Sequence, residues 1–200
     1  MPFSRANAEM EVKHDNAFTL IELLVVIAII AVLAGLSFPV FQSIQNQAKK
    51  TQAKNDVTQI VTAVNAFYTE YGRYPTVETT DTNATYGPND KNSSAVFNEL
   101  RGKTITLNTR QIVFISPAED PNQDKPKGKI GKDGQFFDPW GSAYSLRMDA
   151  DYDNQVPNPY GANGGAGPNP LRQGVIAWSF GKDTNPATTF TGSDDVISWQ

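Results

Sequence analysis

One stretch dominates what this chain can fold into. From Phe18 to Leu36 it reads FTLIELLVVIAIIAVLAGL, 19 residues of which only Thr19 and Glu22 are polar. As a helix it extends about 28 Å at 1.5 Å per residue, close to one hydrocarbon core. With 39% hydrophobic residues over all 200, the rest of the chain is too polar to enclose such a helix on every side. The run exceeds the ~7–15 apolar residues of a secretory signal peptide, and Gly35-Leu36-Ser37 is a poor copy of an Ala-x-Ala cleavage site. A membrane-spanning helix fits the stretch best. Within it, a carboxylate at Glu22 costs at least about 2.5 kcal/mol and calls for a partner. Ala17 is a small residue between a polar leader and the apolar run. A cut after Ala17 gives Phe18 a free α-amino group, which can neutralise Glu22 of a neighbouring chain.

The composition removes several chemistries. There is no cysteine, and His14 in the leader is the one histidine. Disulfides, thiol nucleophiles and cysteine-ligated metals are excluded. Once the leader is removed, histidine triads and histidine metal sites go as well. The net charge of −4 argues against binding to a nucleic-acid backbone.

Beyond the apolar run, Gly35 and Pro39 mark either the end of the membrane helix or a local bend. Helical periodicity then resumes. Val57, Ile60, Val61, Val64, Phe67, Tyr68 and Tyr71 recur at spacings of three and four, opposite Gln52, Asn55, Thr58, Thr62 and Asn65. The stripe lasts about two heptads, which favours a core-facing helix over a coiled coil. Gly72 and Pro75 stop it. A helix from Phe18 to Tyr71 is about 80 Å long. A domain of ~110 residues cannot cover it, so its first half belongs in lipid or against other copies. A filament is a natural outcome.

Thr76 to Ser94 is polar and reads as a loop. Ser94 to Leu100 reads as a short helix closed by Gly102. Three strands are predicted, at Gln111–Ile115, Ala143–Met148 and Gly174–Phe180, with Val196 to Trp199 tucked beside them. They predict a three-stranded antiparallel sheet against the amphipathic half of the helix.

The sequence NAFTLIELLVVIAIIAVLAGLSFPVF (Asn16 to Phe41) resembles the N-terminal signature of type IV pilins and type II secretion pseudopilins. The resemblance implies cleavage by a prepilin peptidase between Ala17 and Phe18, N-methylation of Phe18, and an assembly role for Glu22 paired with the Phe18 amine. Two departures stand out. Ala17 occupies a position where glycine is usual, and Arg5 and Lys13 of the leader are outnumbered by Glu9, Glu11 and Asp15.

FFDPWGSAYSL (Phe136 to Leu146) is similar to a turn of the major type II secretion pseudopilin. Physically, Asp138 can cap this turn, Pro139 fixes φ, Gly141 permits positive φ and Trp140 anchors it to the core. SFGKDTNPATTFTGSDDVISW (Ser179 to Trp199) is similar to the calcium-binding C-terminal loop of that family. The resemblance places metal ligands at Asp183 and Asp195, with Asp194 beside them, and calcium suits such oxygen donors. Here Thr184 stands where glycine is usual, and no Gly-Gly pair follows.

Asp149, Asp151 and Asp153 copy the first half of an EF-hand loop. Asn154 and Tyr160 break the pattern where glycine and glutamate belong. They read instead as turn-forming aspartates. The run KPKGKIGK (Lys125–Lys132) is a solvated loop or a contact with acidic loops of another subunit.

The expected architecture is α+β and pilin-like: leader 1–17, membrane or filament-core helix 18–38, amphipathic helix 39–75, and a globular periplasmic part 76–200. The resemblance implies a non-enzymatic subunit of an inner-membrane-anchored periplasmic filament. Its implied partners are further copies of itself, minor pseudopilins, the prepilin peptidase, an inner-membrane assembly platform and a secretion ATPase, with no nucleic acid. A type IV pilus subunit for adhesion, motility or DNA uptake is the alternative. A membrane-anchored enzyme is a further one, opposed by the lack of histidine and cysteine after the leader.

Overall fold

Helix α1 spans Leu20–Tyr71, two residues inside the start expected from the apolar run. The computed structural model describes residues 18–200, apart from the side chains of residues 36–40. The leader, Ala17 and the side chain of Pro39 therefore lie outside the described residues. The chain divides into two compact units, one ending at Ile44 and one from Gln45 to Gln200.

In the first unit, the large apolar side chains from Leu20 to Leu33 lie in the open, from 47% exposed at Val26 to 89% at Leu20. Phe41 and Ile44 continue the pattern at 60% and 61%. Among the described residues, no helix is long and apolar enough to cross a membrane.

In the second unit, α1 uses its predicted stripe. Val57, Ile60, Val64 and Phe67 are fully buried, joined by Ala53 and Ala63. Each large side chain contributes about 1.5–3 kcal/mol by leaving water. Tyr71 packs against the same core, whereas Tyr68 remains 39% exposed. The helix ends at Gly72, whose φ of +67° and N–H bond to the Tyr68 carbonyl at 2.8 Å make a glycine C-terminal stop.

The stripe packs on a four-stranded antiparallel sheet of order β1-β2-β3-β4. Its strands are β1 (Thr85–Tyr86), β2 (Ser145–Met148), β3 (Val175–Ser179) and β4 (Val196–Ile197). In the register, Leu146 faces Ala177 and Trp178 faces Ile197. Alternation along β3 builds two cores. Val175 and Ala177 join Leu146, Met148 and the α1 stripe. Ile176 and Trp178 point the other way, onto Val156, Tyr160, Leu171 and Phe180. Helix α2 (Ser94–Leu100) lies where expected and adds Val96, Phe97 and Leu100 to the first core. The fold is the expected α+β, pilin-like arrangement of a long N-terminal helix and a small antiparallel sheet.

Two expectations about strands are corrected. Gln111–Ile115 is not a strand. Its backbone is spent elsewhere: Phe114 and Ile115 both donate to the Leu100 carbonyl, and the Asn108 side chain brackets Ile112 from both sides. Gln111 also takes a φ of +51°, incompatible with a ladder. Conversely, the predicted loop 76–94 contains β1, which pairs Thr85 with Arg147. Asp81 holds this loop down, because its carboxylate accepts the Ala150 N–H at 2.8 Å.

Candidate functional site

The start of α1 is closed by its own side chains. Glu22 Oε2 accepts the Thr19 backbone N–H at 2.8 Å and the Thr19 hydroxyl at 2.7 Å. In return the Glu22 N–H donates to Thr19 Oγ1 at 3.3 Å. This is a reciprocal capping box, Thr-x-x-Glu. The spacing is written in the sequence as Thr19-Leu20-Ile21-Glu22, a signal of the cap that is separate from the charge of Glu22. Glu22 therefore holds two roles that can be separated. It finishes the helix start within its own chain, and it presents a carboxylate next to Phe18, which is 80% exposed.

The Asp138–Gly141 turn is built around one carboxylate. Asp138 is fully buried. Its Oδ1 accepts the N–H groups of Trp140, Gly141 and Ser142 at 2.8–2.9 Å, and its Oδ2 accepts the Ser179 hydroxyl at 2.6 Å. Burial raises its pKa, partly opposed by these bonds. Gly141 takes the expected positive φ, +100°. Pro139 is buried, and Trp140 packs against the main core with its indole N–H buried and unpartnered. The turn's neighbour Tyr144 donates its hydroxyl to Asp56 of α1 at 2.7 Å. This ties sheet, turn and helix together.

The C-terminal loop brings the three expected aspartates near one another without fusing them into one cage. Asp194 Oδ2 accepts the N–H groups of Lys182 and Asp183. Gly181 sits so close to Asp194 that a Cβ there would strike its backbone. Asp183 is exposed and folds onto Asn185. Asp195 is buried. Its Oδ2 accepts the Tyr160 hydroxyl at 2.7 Å, its Oδ1 meets no partner at full hydrogen-bond geometry, and the Ala187 backbone N–H approaches the carboxylate and, with Tyr160, favours its charged form. Burial raises the Asp195 pKa, and the negative charges of Asp194 and Asp183 add to that. Thr184, standing where glycine is usual, nonetheless adopts φ +59°, a conformation that costs a non-glycine residue roughly 1–2 kcal/mol.

A second acidic group is tighter. Carboxylate oxygens of Asp81, Asp149, Asp151 and Asp153 all lie within 4.8 Å of one another. The turn role expected for the last three is present: Asp149 accepts the N–H groups of Asp153 and Asn154 at 3.1 and 2.8 Å. Asn154 takes φ +63°, which asparagine tolerates. Asp81 was missed because it comes from a loop 68 residues before Asp149 in sequence, and only the sheet brings it there. Burial raises the pKa of both Asp81 and Asp149.

Residues 12–38 match the family model described as the prokaryotic N-terminal methylation motif. No curated protein and no solved structure matches the chain. The matched segment contains the Ala17–Phe18 junction, the Thr19–Glu22 box and the apolar run. It supports the pilin and pseudopilin family. It implies processing by a prepilin peptidase and membrane-anchored assembly into a filament at the periplasmic side. It points to a structural subunit.

Proposed function

We propose that this chain is a structural subunit of a type II secretion pseudopilus. One observation carries the filament role: an N-terminal methylation motif at the start of a helix whose large apolar side chains from Leu20 to Leu33 are about half to nine-tenths exposed. An apolar surface of that extent needs lipid or other subunits. Before assembly the Phe18–Leu36 segment spans the inner membrane, with the globular unit in the periplasm. After cleavage, Glu22 pairs with the Phe18 amine of a neighbour and sets the axial register. An ATP-driven platform then draws the subunit into a helical filament that pushes folded cargo outward.

The secretion role, over a surface pilus, rests on the Asp138–Gly141 turn, the acidic C-terminal loop and the absence of cysteine for a disulfide-closed loop. Deletion of the coding sequence in its host tests it. The expected result is exported proteins retained in the periplasm, with surface pili and motility unchanged. Normal export with loss of surface filaments assigns the chain to a type IV pilus instead.

Calcium is proposed at the C-terminal loop. The residues fit the ion in kind: Asp195 holds a buried carboxylate oxygen that meets no partner at full hydrogen-bond geometry, with Asp183 and Asp194 as further hard donors. The bound ion would supply a crosslink between the loop and β4. The proposal carries a pH signature. In the folded unit Asp56, Asp81, Asp138, Asp149 and Asp195 all have raised pKa values, each chiefly through burial. Their contribution to stability is full below the ordinary carboxylate pKa of about 4 and is lost as pH rises through the raised values. Glu119, held below the usual range by Arg101, runs the other way but is one group against five. In chelator the unit is therefore expected to lose stability as pH rises from about 4, the ordinary carboxylate pKa, towards 7. Calcium at about 100 times its Kd adds about 2.7 kcal/mol, or about 5–10 °C at pH 7. Asp195→Asn should remove that gain. Identical melts with calcium and chelator at pH 7 would eliminate the metal, and loss of the gain in Asp149→Asn alone would move it to the other acidic group.

A further inference from the structure

We infer that Asp81, Asp149, Asp151 and Asp153 form a second calcium site, built from residues other than those of the C-terminal loop, that fastens the loop carrying β1 to the end of β2. The inference does not depend on the filament reading.

The sequence holds half of such a site. Asp149, Asp151 and Asp153 stand at the first, third and fifth positions of an EF-hand loop, and Asn154 and Tyr160 stand where glycine and the closing glutamate belong. The structure supplies both missing parts. Asn154 takes φ +63°, the sharp turn for which that glycine is needed. Asp81 brings a fourth carboxylate from the loop before β1. Oxygens of all four residues lie within 4.8 Å of one another. Calcium holds its oxygens at about 2.3–2.6 Å, so two ligands on one ion stand at most about 5 Å apart.

No cation of the chain contacts the group. Asp149 is 2% exposed and Asp81 8%. Among the described residues, none of the ion pairs uses any of the four. Arg147 senses the charge of Asp81, but its guanidinium donates to Thr85 Oγ1 and to the Pro157 carbonyl. Carboxylates this close repel one another unless protons or a metal intervene.

An acidic group alone does not call for a metal, and here a buried hydroxyl adds to it. Tyr74 is 6% exposed, and its hydroxyl makes no hydrogen bond among the described residues. The oxygen lies against Gly174, where a Cβ would strike it, and the Gly174 carbonyl accepts the Asp149 N–H at 2.9 Å. Burial pushes the Tyr74 hydroxyl up to about 12, and the negative charges of Asp149 and Asp81 add to this. A protonated phenol in the field of two carboxylates, bonded to neither, leaves place for an intervening atom. A buried hydroxyl without a partner costs about 1–3 kcal/mol, and a water on the ion supplies the partner.

Both oxygens of Asp149 and one of Asp81 already accept backbone N–H groups. Fewer lone pairs are free than at Asp195, so this site fills at higher calcium than the C-terminal loop and is titrated apart from it.

Calorimetric titration of the full-length chain in detergent with calcium tests the site. In Asp195→Asn one ion per chain is expected to remain. Adding Asp151→Asn should weaken that ion's binding at least about tenfold, and Asp153→Asn serves as a second variant of the same kind. Both residues are exposed, so the metal-free melting temperature should hold. Tyr74→Phe should also weaken binding about tenfold, with the metal-free melt unchanged because its hydroxyl has no partner to lose. In hydrogen exchange, calcium should slow the Ala150 amide, whose bond to Asp81 joins the two loops. Undiminished binding in Tyr74→Phe, or in both aspartate variants, overturns the site. One ion in the wild type and none in Asp195→Asn overturns it too and leaves calcium at the C-terminal loop standing. An ion that survives Asp195→Asn at wild-type strength and is lost in Asp151→Asn supports this site and removes the other. No ion in either protein overturns both.

Discussion

Glu22→Gln is expected to insert and be processed normally yet to assemble as poorly as Glu22→Leu. The two substitutions separate the two roles of this carboxylate. Glutamine still reaches back to the start of the helix, since a capping box accepts Gln as well as Glu, so the bonds now made with Thr19 at 2.7 and 2.8 Å survive in kind. It cannot neutralise a neighbour's Phe18 amine. Leaving a charge unpaired at membrane depth costs at least about 2.5 kcal/mol, so filament yield should fall by between tenfold and a hundredfold in both variants. Leucine loses the cap as well, worth about 1 kcal/mol, which affects helix start more than assembly. Immunoblots of sheared filaments against total membrane protein give the ratio. Wild-type yield from Glu22→Gln with poor yield from Glu22→Leu would make Glu22 a cap and remove the pairing step.

The largest effect on the globular unit is expected from Asp138→Ala. That carboxylate accepts three backbone N–H groups and the Ser179 hydroxyl at a site with no solvent exposure. Alanine leaves these donors without a partner, at about 1–3 kcal/mol for each one that stays buried. A total loss of about 3–5 kcal/mol corresponds to roughly 10 °C or more in melting temperature for a unit of this size. Asp138→Asn retains an acceptor oxygen and relieves the cost of a buried charge, so its loss should be smaller. Asp133→Ala is the control: it removes an exposed carboxylate that bonds only Gln135, and should change stability by no more than about 0.5 kcal/mol. Equal melting temperatures for Asp138→Ala and Asp133→Ala would mean that the turn is not held by its aspartate.

How far the sequence carried the fold depended on whether the signal was local. The long helix, its stop at Gly72, α2 and the strands β2 and β3 all follow from periodicity and turn residues within a few positions of themselves. The false strand at Gln111–Ile115 has the right side chains, but its N–H groups go to the Leu100 carbonyl and the Asn108 side chain. No local pattern records those partners. β1 failed in the opposite sense. Two residues in a polar loop become a strand because Arg147 and Leu146 lie alongside.

The sites divide the same way. Asp138 was legible because its partners are the next residues in the chain. The Thr19–Glu22 box is equally local, since its three hydrogen bonds join residues three apart in the chain. Asp81 joins Asp149 only through tertiary structure, and the Asp195 oxygen that meets no full hydrogen bond depends on burial contributed by the second core.

The claim on which the account turns is that a chain beginning at Phe18 builds a filament. Mass spectrometry of purified filaments measures it directly. The expected subunits begin at N-methylated Phe18, with residues 1–17 absent. Filaments built from chains that retain the leader, or that begin at any other residue, would contradict it.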